Sequence, residues 1–283
     1  MIIKTCGTTT LLAALPHVFT IAHKYCGYER PLICFYSRKA FLFPELQYEP
    51  HRSWKEEIGF MDMVFEKRGQ VFTMGDTNSN AWYLYVMTGG SHDTLNAAST
   101  LDDETLEILM SDLDPGIARD FYCDNGKITG SEGGMQVSEK TGILKLYPNA
   151  KMDSFQFEPC GYSANGLVED GYFTIHVTPE RGWSFASFET NIPATRSHGD
   201  HHHQQAIANK TTSTASPTLI RHVIDIFQPG SFTIILLSSS SKLEMLDDIY
   251  QGYERLVHVY RSFDHYNLVF VQYERIIDSN HSE

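Results

Sequence analysis

Apolar positions along this chain recur with two periods, and the periods separate helices from strands. Between Thr8 and Tyr25, Leu11, Leu12, Leu15, Val18, Phe19 and Ala22 share a helical face, with Pro16 placed to kink or restart the helix. Ser53, with Glu56 three residues on, fits a capping box, and Ile58, Met61, Met63, Val64 and Phe65 continue a helical stripe behind it. Ser216 and Pro217 offer an N-cap and a first-turn proline for a helix through Phe227. Strands are predicted at 31–36, an apolar run bounded by charge, and at 81–88, which is rich in aromatic residues. In 172–177 the alternation is clear: Phe173, Ile175 and Val177 face one way, Tyr172, Thr174 and His176 the other. A turn at 179–182 and the run 183–190 make this a hairpin, and 231–238 and 266–273 complete the strands. Segment 103–110 fits both periods; as a strand it puts Thr105 and Glu107 on one face. Helices mixed with hairpin-compatible strands argue for an α+β fold with antiparallel sheet packed by helices.

Composition narrows the classes. With 283 residues, 42% of them hydrophobic and 20% charged, the chain can bury a sizeable core. Its 22 basic and 35 acidic side chains give a net charge of −13, which argues against nucleic acid as a partner. Cys6, Cys26, Cys34, Cys123 and Cys160 are odd in number and show no CxxC spacing. Such a set suits a reducing compartment, and a cytoplasmic location is expected. No apolar run reaches the length of a membrane span. The apolar stretch at 11–21 is broken by Pro16 and His17 and is not read as a signal peptide. Segment 193–216, rich in Ser, Thr, His, Asn and Gln, is read as a flexible loop insertion.

Neither a GxGxxG nor a GxxxxGK[ST] pattern occurs, so dinucleotide and P-loop chemistry have no support. His198 and His201 to His203 are metal-ligand types in a loop without an evident second shell, and no metal site is assigned to them. Cys6 lies just before a predicted helix, where a thiol can act as nucleophile or proton donor, although a buried inert cysteine fits too. His176 lies mid-strand opposite the apolar face. Cys160 and Ser163 precede it around Gly161, so a Cys/His or Ser/His hydrolase could be assembled from these parts. Glu107, Glu180 and Glu189 stand on or beside strands.

Ten motifs, in order, carry a resemblance: KTCGTT (4–9), FYSRK (35–39), PHR (50–52), NSNAWYLY (78–85), TLEILMSDLDP (105–115), FEPCGYSANG (157–166), YFTIHVTPE (172–180), SFETN (187–191), FQPG (227–230) and YNLVF (266–270). Together they make the chain similar to the eukaryotic-type S-adenosylmethionine decarboxylases. The resemblance implies a single domain over 1–283, folded as a four-layer α/β/β/α sandwich of two antiparallel sheets flanked by helices. It also implies decarboxylation of S-adenosylmethionine for spermidine and spermine synthesis, through a covalent pyruvoyl group made when a proenzyme cleaves itself at an internal serine. The pyruvoyl group forms a Schiff base with the substrate and acts as the electron sink.

Carried over by motif, Cys6 reprotonates the substrate α-carbon, Ser163 and His176 serve self-cleavage, Phe157 stacks on adenine and Glu180 binds the ribose hydroxyls. Lys4, Phe35, Asp103, Thr105, Glu107, Glu189 and Tyr266 match the family's pocket for putrescine, an activator; Leu237 stands where the family has an aromatic. Members are monomers or homodimers. The cleavage serine and the small N-terminal β-chain have no counterpart here, since five residues precede Cys6 and no Glu-Ser-Ser occurs. The chain is therefore expected to be truncated at its N-terminus and inactive alone. The alternative is a dead isoform or regulatory paralogue that binds an active subunit. Retention of Cys6, His176, Ser163 and Glu180 favours the enzyme.

Overall fold

Pro16 restarts the first helix. The computed structural model describes residues 1–5, 7–75, 81–88, 103–123, 128–192, 216–239, 250–263 and 266–276. In it, Leu12–Ala14 form a 3₁₀ turn that runs into α1 (Leu15–Cys26), with Pro16 in the first turn, where its missing N–H costs nothing. The capping box at Ser53 forms on its first half: the Ser53 hydroxyl accepts the Glu56 N–H at 3.2 Å and opens α2 (Trp54–Val64). Cys6 and nearly all of 193–216, including His198 and His201 to His203, lie outside the described residues. No helix among the described residues is long and apolar enough to cross a membrane.

The chain divides into two compact units, Met1–Thr100 and Leu101–Glu283. The first contains α1, α2 and the strands β1 (Ile33–Lys39), β2 (Gly69–Met74) and β3 (Trp82–Thr88), paired antiparallel in the order β1-β3-β2. Its core is Leu12, Tyr36, Met61, Phe65, Tyr85 and Met87, with Leu15, Phe19 and Trp54 packed against it.

The second unit is built on an eight-stranded antiparallel sheet in the order β10-β11-β9-β4-β8-β7-β6-β5. These strands are β4 (Glu104–Leu113), β5 (Lys151–Gln156), β6 (Tyr162–Val168), β7 (Gly171–Thr178), β8 (Phe185–Thr190), β9 (Pro229–Ser238), β10 (Tyr253–Phe263) and β11 (Tyr266–Arg275). The ambiguous 103–110 segment is the central strand β4, held by β8 on one side and β9 on the other. Its buried Leu106, Ile108 and Met110 join Ile175, Phe188, Ile234 and Val269 in one apolar layer. Each such side chain contributes about 1.5–3 kcal/mol by leaving water. Helices α3 (Pro115–Ala118), α4 (Gly130–Thr141) and α5 (Pro217–Phe227) complete the unit. Helix α5 adds Leu219, Ile220, Val223, Ile224 and Phe227 to the same core. Pro217 stands in its first turn as expected, but the Ser216 side chain makes no capping bond.

Besides the single-turn α3, five of the described elements are absent from the pattern reading, each for a physical reason. Strands β5 and β10 are the two edges of the sheet, where one side of the strand meets water and charge replaces alternation. Strand β10 also shifts register between Arg255 and Val257. Strand β2 is short and largely exposed, and β6 has Gly166 at a buried position where a strand pattern wants an apolar side chain. Helix α4, GSEGGMQVSEKT, has too many glycines to score as a helix. Its glycines answer a packing need: a Cβ on Gly134 would lie 2.4 Å from the Phe155 nitrogen and 2.5 Å from the Ser154 carbonyl carbon. The helix lies against the β5 backbone only because that side chain is missing.

Two alanine substitutions in helices should therefore move stability in opposite directions. Gly134→Ala is expected to cost about 1–3 kcal/mol through overpacking. Gly59→Ala, in α2 with nothing within 4 Å of the added methyl, should gain up to about 1 kcal/mol. Urea denaturation of the two variants beside the parent checks both signs.

Candidate active site

Antiparallel pairing puts Ser163, His176 and Ser187 directly opposite one another on β6, β7 and β8. Because Ala164, Ile175, Val177 and Ala186 are in the apolar layer, these three project from the other face. The Ser163 hydroxyl lies 2.9 Å from Nδ1 of His176, and the Thr174 hydroxyl 3.1 Å from Nε2. Both ring nitrogens thus have hydroxyl partners that can donate or accept, so the imidazole can take up or release a proton at either side.

The strand ends beside this pair supply an aromatic face and a carboxylate. The turn before β6 is closed by Phe157 N–H donating to the Gly161 carbonyl at 2.9 Å and Gly161 N–H donating to the Phe121 carbonyl at 2.9 Å. Gly161 has φ of +111°, which L side chains rarely adopt. This turn presents Phe157, 44% exposed, with its ring centroid 4.8 Å from that of Phe155. Glu180 follows β7. Its Oε2 is buried and has no hydrogen-bond partner. A carboxylate oxygen in that state costs about 1–3 kcal/mol, which a donor from a ligand would recover. Burial, and next the nearby Glu180 charge, push the Cys160 thiol pKa up, so Cys160 is a poor thiolate.

A second group of residues stands on the same polar face farther along the sheet. Glu107 on β4 is directly opposite Glu189 on β8, and Glu189 is opposite Thr174 on β7. Ile235 on β9 is opposite Glu107, and Thr105 is opposite Leu237 one pair farther along the same face. The Tyr172 hydroxyl donates to Oε1 of Glu189 at 2.6 Å, and the Tyr266 hydroxyl to Oδ2 of Asp103 at 2.8 Å. Burial, then the adjoining carboxylate, holds each phenol pKa well above its ordinary range. Like charges opposite one another on neighbouring strands repel, so the pair Glu107 and Glu189 favours a cation between them.

The structure thus brings Asp103, Thr105, Glu107, Glu189 and Tyr266 to one face, and Ser163 to His176, with Phe157 and Glu180 at the strand ends. Lys4 and Phe35 are in the first unit: Lys4 is half-buried ahead of α1, and Phe35 sits on β1 opposite Val86. Tyr172 and Thr174 are site residues that the sequence analysis placed on the right face without giving them a task. The strand register, once known, would have found both.

A sequence model of the family described as Adenosylmethionine decarboxylase matches residues 1–274. The chain belongs to the adenosylmethionine decarboxylase family. It is 37% identical over 280 residues to the S-adenosylmethionine decarboxylase proenzyme of Xenopus laevis, covering 97% of this chain and 75% of that protein. To the proenzyme of Drosophila melanogaster it is 35% identical over 289 residues, covering 96% of this chain and 76% of the relative. A crystal structure of a Trypanosoma brucei AdoMetDC-delta26 monomer superposes with a TM-score of 0.67 at 22% identity, over 98% of this chain and 96% of that one. The expected α+β fold with two antiparallel sheets is thus the decarboxylase fold. The motifs FEPCGYSANG and YFTIHVTPE are the β6 and β7 ends of the site just described.

The raised pKa of Tyr172 sets a direction for alkaline stability. The unfolded phenol releases its proton near its ordinary value of about 10, whereas the folded one retains it. The stabilising contribution is therefore intact below that pH and is lost as pH rises above it. Urea midpoints measured from pH 9 to 12 should fall less steeply for Tyr172→Phe than for the parent.

Proposed function

We propose that this chain supplies the substrate site and the diamine site of a pyruvoyl-dependent S-adenosylmethionine decarboxylase that makes the precursor of spermidine and spermine. The supporting observation is the meeting of Ser163 and His176 at 2.9 Å, with the buried, unpartnered Glu180 oxygen at the end of the same strand. A pyruvoyl group is held covalently and asks for no anion cradle, only hydrogen-bonding neighbours, and the hydroxyl and imidazole of this pair fit that need. When present it supplies an electrophilic ketone that condenses with the substrate amine and accepts the electrons left by departing CO₂.

The chain's own residues then have distinct tasks. Ser163 and His176 serve self-cleavage, with Nδ1 of His176 exchanging a proton with the Ser163 hydroxyl. Phe157 offers its exposed ring to the adenine, and aromatic faces also suit a sulfonium cation. Glu180 accepts hydrogen bonds from the ribose hydroxyls, which satisfies Oε2. Cys6 returns a proton to the substrate α-carbon. Asp103, Thr105, Glu107, Glu189 and Tyr266 bind putrescine, whose two charges offset the opposed carboxylates. The activity is assigned to the cytoplasm, in keeping with the absence of CxxC pairs.

The protein is incubated with carboxyl-labelled S-adenosylmethionine with and without putrescine. Labelled CO₂ that increases with the diamine is expected. His176→Ala should leave the proenzyme as one uncleaved band on a denaturing gel. Glu107→Gln should raise the putrescine concentration needed for activation about tenfold, the effect of about 1.4 kcal/mol. A self-cleaved protein that releases no CO₂ would overturn the reading.

A further inference from the structure

Outside the site already described, the most heavily bonded buried charge is Glu57 on α2, which is 0% exposed. The Arg38 guanidinium donates Nε–H to both of its oxygens at 2.9 and 2.7 Å, and Nη2 lies 2.6 Å from Oε2. The Tyr36 hydroxyl donates to Oε1 at 2.7 Å. Nδ1 of His51 lies 2.8 Å from the same Oε1, and His51 is 3% exposed. Arg38 is itself stacked over the rings of Phe41, at 4.4 Å, and Tyr83, at 4.6 Å.

The other nitrogen of His51 shows what this network is arranged to do. Nε2 accepts the Leu12 N–H at 3.3 Å, across 39 residues of sequence. An accepting nitrogen carries no proton, so the proton is on Nδ1 and is donated to Glu57. Glu57 thereby selects one tautomer and aims the ring's lone pair at a backbone amide. Leu12 opens the 3₁₀ turn that leads into α1, where N–H groups have no partner within the helix. The chain just ahead is tight, with Leu11 N–H bonded to the Thr9 carbonyl and Ala14 N–H to that of Leu11, each at 3.0 Å. If packing were the only need, apolar side chains of like volume would serve the core as well or better than a buried ion pair.

We infer that His51, with its tautomer held by Glu57, is a positioning residue that anchors the start of α1 and so the adjoining KTCGTT segment that carries Cys6. The catalytic consequence rests on the proton-donor role of Cys6 proposed above. The anchoring itself does not.

Two amide substitutions separate the two ends of the relay. His51→Asn keeps an N–H in the place of Nδ1 for Glu57 but cannot reach Leu12, while His51→Gln puts an amide oxygen where Nε2 was. Hydrogen exchange followed by mass spectrometry on the full-length protein reads the anchor. In His51→Asn, amides of the peptide spanning 7–14 should exchange about tenfold faster while β3 peptides keep the parent rate, and His51→Gln should restore most of the protection. Iodoacetamide labelling should change several-fold at Cys6 relative to Cys26 in His51→Asn alone. Unchanged exchange at 7–14, or acceleration equal to that in β3, would overturn the anchor. If Cys6→Ala decarboxylates normally while the exchange result holds, the catalytic role of Cys6 fails and the anchor stands.

Discussion

One face of the eight-stranded sheet is given over to Leu, Ile, Val and Phe, and the groups that carry chemistry stand on the other. Strand geometry leaves no other choice, because successive side chains alternate and neighbouring strands keep register. Ser163, His176 and Ser187 form one row across the sheet, and Thr174, Glu189 and Glu107 form the next. A slip of one residue between β7 and β8 would carry His176 into the apolar layer and Ile175 out of it. The core therefore enforces the site: burial of Ile175 and Phe188 is what places His176 against Ser163. The Ser163–His176 pair and the acidic row become two regions of a single polar face, connected through Thr174, whose hydroxyl meets His176 and whose backbone position is opposite Glu189.

Carboxylates are handled differently in the two units. Glu57 is surrounded by built-in donors from Arg38, Tyr36 and His51, and its charge is spent on orienting a histidine. Glu189 and Asp103 each take a tyrosine hydroxyl, a neutral donor that leaves the negative charge in place. A carboxylate neutralised by arginine is a structural fixture, whereas one held by a phenol still attracts a cation. That difference leaves the acidic face able to attract a cation and makes Glu57 part of a scaffold. Glu180 is a third case, with a buried oxygen that has no donor until a ligand brings one.

Much of this was legible in the chain itself. Amphipathic stripes located α1 and α2, the Ser216–Pro217 start signal located α5, and strict alternation located β7 and showed that Tyr172, Thr174 and His176 share a face. The unread elements were the sheet edges β5 and β10, the short β2, the interrupted β6 and the glycine-rich α4. Edge strands meet water on one side and lose the alternation that marks a strand. Gly133 and Gly134 look like helix breakers until the backbone of β5 is seen against them.

The site divides in the same way. The sequence by itself determined which residue types were present and, through ten ordered motifs, the family to which they belong. It also determined the local faces, since period 2 and period 3.6 are properties of adjacent residues. Only the tertiary structure decided which strands are neighbours, and hence that Glu107 opposes Glu189, that Leu237 lies beside Thr105 and that His51 reaches Leu12. Those pairings join residues far apart in the chain, 39 positions for His51 and Leu12, or link strands out of chain order. They are set by the burial of a common core and by the register of the sheet, neither of which is a property of any single segment.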